Sequence, residues 1–218
     1  RGPSMRRQRE PYPFGLLSAL AEGDTKRVVG ELAEVIITPE DSLAGAVSAV
    51  APGGTVWLTP GRYWLVDPDS PQGYVTLSGE NVRLVAPAGA HIVLPSNTLR
   101  VAGEGMVLDG LLVEQVEAST AIIRVDADFV ALHGVVTVGD ATYGIEVNSG
   151  DTVAVCGCRS RSSATGGSSS DIYFADAATY GIVACNQRSA SRAYALNYKG
   201  LSNLTEAANG PSGIINVR

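Results

Sequence analysis

Seven short segments recur in one register along the chain: Val75-Thr76-Leu77, Leu99-Arg100-Val101, Ile123-Arg124-Val125, Ile145-Glu146-Val147, Ile172-Tyr173-Phe174, Leu196-Asn197-Tyr198 and Ile215-Asn216-Val217. Each is apolar, then polar or amphipathic, then apolar, and the starts are separated by 24, 24, 22, 27, 24 and 19 residues. Alternation with a period of two describes a strand that buries one face. Repeating such a strand at a near-constant interval describes a solenoid whose turns stack on one another.

A second series keeps step with the first. Leu84, Leu108, Leu132, Val155, Ile182 and Leu204 are spaced 24, 24, 23, 27 and 22, and small residues follow two positions later at Ala86, Gly110, Gly134, Gly157 and Ala184. Two strands per turn over five or six turns are therefore expected. An evenly spaced β-sandwich has no reason to hold the same residue type at the same phase of every unit. The Leu-x-x-Leu-x-Leu frame of leucine-rich repeats is missing. The expectation is an all-β chain folded as a right-handed, single-stranded parallel β-helix.

Ahead of the repeats, Asp41 to Val50 reads as a short amphipathic helix, with Asp41 or Ser42 as N-cap and Leu43, Ala46, Val47 and Val50 on one face. Ala51-Pro52-Gly53-Gly54 then breaks the pattern, and Thr55 to Tyr63 reads as a strand and turn. A helix followed by this Pro-Gly-Gly-Thr-Val-Trp-Leu stretch resembles the N-terminal entry of the pectin-lyase-like β-helix superfamily. The pattern-level likeness runs over residues 38–218, and its specific part is residues 41–65. The resemblance implies that the helix plugs the open end of the stack, and a solenoid needs such a cap because its bore and strand edges are bare at the ends.

Composition narrows the function. Of 218 residues, 45% are apolar but only 6% aromatic, which suits a narrow bore filled by Val, Ile, Leu and Ala. Residues 1–10 hold four arginines against Glu10, a net +3, so the rest of a chain of total charge −6 carries −9. An acidic body argues against nucleic acid as the main partner. No stretch of about eighteen apolar residues suggests a transmembrane helix, and the start of the chain has no apolar segment of signal-peptide type. With only His91 and His133 as histidines, and no Cys-x-x-Cys, neither a metal site nor a cofactor is expected. Cys158 and Cys185 share one phase of the repeat, where Leu111 and Val135 stand on earlier turns; packed thiols are favoured over a disulfide.

Three sections follow. Residues 1–37 form an N-terminal arm or attachment segment, rich in Arg and Pro at its start, with Arg6, Arg7, Arg9, Tyr12 and Phe14 as anchoring side chains. Within it, Val35-Ile36-Ile37 has the character either of an attachment element or of a first strand of the solenoid. Residues 38–218 form the β-helix. Arg159 to Ser170 reads as a polar loop that lengthens one turn. Ile215-Asn216-Val217 opens a further turn without a cap after it, which points to oligomerisation, a partner, or a chain that continues.

The outward positions of the repeated strands form a surface ladder with Arg100, Arg124, Glu146, Tyr173 and Asn197, a candidate face for a glycan or a protein partner. In enzymes of the pectin-lyase-like superfamily such a face holds sugar chain and catalytic residues. Asp126 and Glu146 stand on adjacent turns about 8 Å apart in backbone terms, a separation an inverting glycosidase uses. Against that stand charge pairing across rungs, such as Arg124 with Glu146, and the missing signatures. His133 has only Gly134 in common with the polygalacturonase pattern, and Gly61-Arg62-Tyr63-Trp64-Leu65 has Leu where a pectin methylesterase has Glu. Trp57, Tyr63 and Trp64 are expected to seal the N-terminal end, leaving Tyr173 as the single aromatic on the ladder.

The expectation is a non-enzymatic virion protein, similar in design to bacteriophage spikes, fibres and head-decoration proteins and assembled in the bacterial cytoplasm. It would bind other virion proteins through its arm, form a homo-oligomer (a trimer by preference), and touch host polysaccharide. The alternative is a polysaccharide-degrading hydrolase or lyase acting through Asp126 and Glu146.

Overall fold

The structure is a computed structural model. It describes residues 32–66, 73–87, 89–162, 169–178 and 180–184, together with the strands Tyr194–Tyr198, Asn203–Ala207 and Ile215–Val217. Among these residues every strand pairing is parallel, and the strands assemble into sheets of eight, seven and five strands. The chain visits the three sheets in rotation, so the fold is an all-β parallel solenoid of about five turns with one short helix.

The repeated triplets build the seven-stranded sheet in the expected register. Val75, Leu99, Ile123, Ile145, Ile172, Leu196 and Ile215 pair rung by rung in one vertical file. From Leu99 to Ile172 their side chains are buried, Leu99 and Ile123 completely. The second series lines the eight-stranded sheet, where Val56, Leu84, Leu108, Leu132, Val155 and Val183 share a file. Here the sequence reading needs a correction on its last two rungs, by one residue and then by two. Val183, not Ile182, pairs with Val155, and Leu204 pairs with Gly181.

Five successive turns, from Gly61 to Ser162, also have a third strand that the sequence reading omitted. The five-stranded sheet stacks Gly61–Trp64, Ala90–Leu94, Leu112–Gln115, Val136–Gly139 and Arg159–Ser162. Its inward file runs Tyr63, Ile92, Val113, Thr137, Ser160. This corrects the reading of Arg159 to Ser170 as loop throughout, since Arg159–Ser162 is a paired strand. The turn into this sheet is made by Gly110, Gly134 and Gly157, all with φ between +60° and +72°. A Cβ on Gly110 would lie 2.7 Å from the Ala86 carbonyl oxygen, so that corner closes by backbone approach.

Before the repeats, the helix Leu43–Ala49 is capped by Ser42, whose hydroxyl accepts from the Gly45 N–H at 3.1 Å. Asp41 instead holds Thr38, accepting from its N–H at 2.7 Å and its hydroxyl at 2.9 Å. Leu43, Ala46, Val47 and Val50 are buried in the common core. Val35-Ile36-Ile37 belongs to the first strand of the eight-stranded sheet. Leu32 pairs with Val50 and Glu34 with Thr55, so the Pro-Gly-Gly segment bulges out between them. Tyr63 is buried, and its hydroxyl donates to the carbonyl of Ile37 or Thr59 at 2.8 and 2.9 Å. Trp57 and Trp64, expected to seal this end, are 37% and 58% exposed and point outward.

Cys158 is buried at the phase of Leu111 and Val135, packed among apolar neighbours, and burial pushes its thiol up to about 12. Cys185 lies outside the described residues, as do Arg6, Arg7, Arg9, Tyr12 and Phe14 of the arm.

Candidate functional site

The outward file of the seven-stranded sheet runs Thr76, Arg100, Arg124, Glu146, Tyr173, Asn197, Asn216 on successive rungs. All five ladder residues singled out from the sequence, Arg100, Arg124, Glu146, Tyr173 and Asn197, therefore share one file. Asn197 is placed by its backbone alone. Asn216 is likewise placed by its backbone alone; from Thr76 to Tyr173, alternation along each strand and a strand spacing of about 4.8 Å bring the side chains within reach of their neighbours.

Asp126, two positions beyond Arg124, is the centre of a charge network. Arg100 Nε donates to Oδ2 at 2.7 Å, and Arg124 Nε donates to both carboxylate oxygens at 3.2 Å. The third donor depends on a bulge. Val125 pairs with Val147 but Asp126 pairs with Ser149, so Asn148 is an extra residue. Its Nδ2 donates to Asp126 Oδ1 at 2.8 Å. Burial pushes the Asp126 carboxyl up, but the bonds from Arg100 and Asn148 and the charge and bond of Arg124 outweigh it and hold it below its ordinary value.

Glu146 is in the opposite condition. Burial raises its carboxyl above the ordinary value; Arg124 partly offsets this and the negative charge of Asp126 adds to it. Its Oε2 lies 3.7 Å from an Arg124 terminal nitrogen, an ion contact too long for a hydrogen bond. The two carboxylates thus share Arg124 unequally. Both side chains are nearly covered, 7% and 8% exposed, so neither stands open at the surface.

Aromatic rings flank the network, and the sequence reading named only one of them. Tyr173 stacks on Tyr143, with centroids 4.2 Å apart and planes inclined by 15°. At the other end the guanidinium carbons of Arg100 and Arg124 lie 5.7 and 5.5 Å from the centre of the Tyr74 ring. Tyr74 precedes the first repeated triplet, and Tyr143 stands beside Gly144. At Gly144 an added Cβ would collide with Ser160 and the Asp171 carbonyl. Tyr74 keeps the outward phase, two residues before Thr76, but lies ahead of the repeated triplet; Tyr143 stands two residues before the inward Ile145 and so off the outward phase. Among the described residues no group of three or more His, Cys, Asp or Glu side chains is placed to hold a metal ion.

The face can present paired charges and ring faces to a ligand, with Asp126 already engaged by three donors and Glu146 held only by its ion contact with Arg124. No known protein family, curated protein or solved structure matches the chain.

Proposed function

We propose that this chain is a structural protein of a virion, a phage head or tail spike, fibre or decoration. On this reading residues 1–31 bind other virion proteins, and the β-helix, which begins with the strand Leu32–Ile37 rather than at residue 38, projects outward, right-handed and closed by its N-terminal helix in the pectin-lyase-like manner. The assembly is a homo-oligomer, a trimer by preference. The seven-stranded sheet is the face that meets host surface glycans.

The observation that carries the non-catalytic half of this reading is the saturation of Asp126. A carboxylate accepting from three side chains, and held below its ordinary pKa, is a poor proton acceptor and a poor nucleophile. It does serve as a clamp, tying three rungs together and fixing a rigid display surface. The rival reading, a polysaccharide-degrading enzyme, is favoured by one specific observation. Asp126 and Glu146 are shifted in opposite directions, which is how an acid and a base are separated.

The two readings part in solution. The purified chain is expected to run as a stable oligomer by light scattering and to release no fragments from acidic or neutral polysaccharides. A monomer that cleaves such a polymer, and loses that activity in Glu146→Gln, would overturn the structural reading.

A further inference from the structure

We infer that a polar pocket beside Tyr74, at the corner where the five-stranded sheet passes into the seven-stranded sheet, binds a single sugar residue that carries no negative charge. This rests on the reading of the chain as a non-catalytic surface that contacts glycans, and it names the part of that surface that would grip one ring. The pocket has a volume of about 300 Å³ and is walled chiefly by Tyr74, Ser96, Thr98, Glu117, Ser119 and Thr120. That volume is at the lower end of the range of roughly 300–1,000 Å³ for ligand pockets, which suits one ring rather than a chain.

The hydrogen bonds behind the wall decide what can enter. Thr98 Oγ1 donates to the Ala121 carbonyl at 2.7 Å. Ser119 Oγ is 2.6 Å from Gln115 Oε1 and 3.0 Å from the Ala121 carbonyl, both acceptors. A hydroxyl has one hydrogen, so these two offer the pocket only lone pairs. Glu117 is exposed and, when ionised, only accepts. These groups together call for a ligand that donates. Sugar hydroxyls do so, and the two oxygens of a carboxylate can take both members of a vicinal diol. A uronate or other acidic sugar would bring its own carboxylate toward Glu117 and be repelled.

The wall is set in advance. Gln115, 2% exposed, donates through Nε2 to the Asn97 carbonyl at 2.7 Å while its Oε1 accepts from Ser119. The Thr98 N–H donates to the Gly73 carbonyl at 3.0 Å. One buried amide thus ties the two rungs that carry the hydroxyls, and little ordering is left to do on binding. Tyr74, 40% exposed, supplies a ring on which the C–H face of a sugar can rest, steadied by the guanidinium groups of Arg100 and Arg124.

The test compares matched pairs, glucose with glucuronate and galactose with galacturonate, titrated into the full chain and followed by NMR shifts of the amides around Tyr74 and Glu117. At least one neutral sugar is expected to saturate these shifts, with its uronate at least about tenfold weaker, an effect on the order of one charged contact. Tyr74→Ala should weaken the neutral sugar by about tenfold. Glu117→Gln should weaken it too and, in addition, narrow the gap between neutral sugar and uronate. Equal or better binding of the uronates, variants that bind like the parent, or no response to any sugar at tens of millimolar would overturn the site. Product analysis on the same samples with an oligosaccharide separates the two inferences. Binding with cleavage removes the non-catalytic reading and keeps the pocket, whereas an oligomer that neither binds nor cleaves keeps that reading and removes the pocket.

Discussion

The two faces of the seven-stranded sheet obey different rules. Inside, Leu99, Ile123, Ile145 and Ile172 repeat a branched aliphatic side chain of one size on four rungs, because each must fill the space its neighbours leave. Outside, the same rungs carry Arg100, Arg124, Glu146 and Tyr173, a pair of cations, an acid and an aromatic ring. The inner file is governed by packing, the outer one by pairing with whatever lies a rung away. Substitution should expose the difference. Ile123→Ala, at a fully buried position between Leu99 and Ile145, is expected to lose about 2–5 kcal/mol of unfolding free energy in urea melts. A loss below about 1 kcal/mol would mean that the inner file is not the continuous core described above.

The largest effect on the outer face is expected at Asp126. Asp126→Asn keeps the shape but removes the charge that Arg100 and Arg124 face. The destabilisation should be about 1–2 kcal/mol at neutral pH, smaller than at Ile123 because water can still solvate the partly exposed arginines. The folded carboxyl titrates below its unfolded value, so the stabilisation it brings is present above about pH 4 and is lost as pH falls through the folded value. The gap between parent and variant should therefore close in acid. A gap that stays constant with pH would show that ionisation of this carboxyl does not carry the effect.

This contrast also sets how much could be read from the sequence. The inner files of the seven- and eight-stranded sheets were legible because a packing rule repeats residue type. The third sheet was not, because its inward file changes from Tyr63, Ile92 and Val113 to Thr137 and Ser160, leaving no constant type to count. The slip from Ile182 to Val183 has a similar cause, since neighbouring apolar residues satisfy the pattern equally well. On the outer face, register alone placed Arg100, Arg124, Glu146, Tyr173 and Asn197 in one file. What it could not supply was the bulge that turns Asn148 onto Asp126, or the stack of Tyr143 on Tyr173. The bulge is a backbone departure that a period-two reading averages away, and Tyr143 has the parity of the inward Ile145, so the same reading turns it away from the ladder.

The smallest effect, and the sharpest, is expected at Glu146. Burial raises its folded carboxyl above the unfolded value, so its contribution is fully present below about pH 4 and is lost as pH rises through the folded value. Glutamine resembles the protonated form and cannot ionise. Glu146→Gln should therefore match the parent in acid and become the more stable of the two by up to about 1 kcal/mol near neutrality, less whatever attraction to Arg124 is lost. Relative to the parent, the pH slope of this variant is opposite in sign to that of Asp126→Asn. The two carboxylates are a few ångströms from the same guanidinium, one bonded to it and the other only near it. Slopes of the same sign would mean that Arg124 divides its charge evenly between them, and the asymmetry on which the clamp rests would be gone.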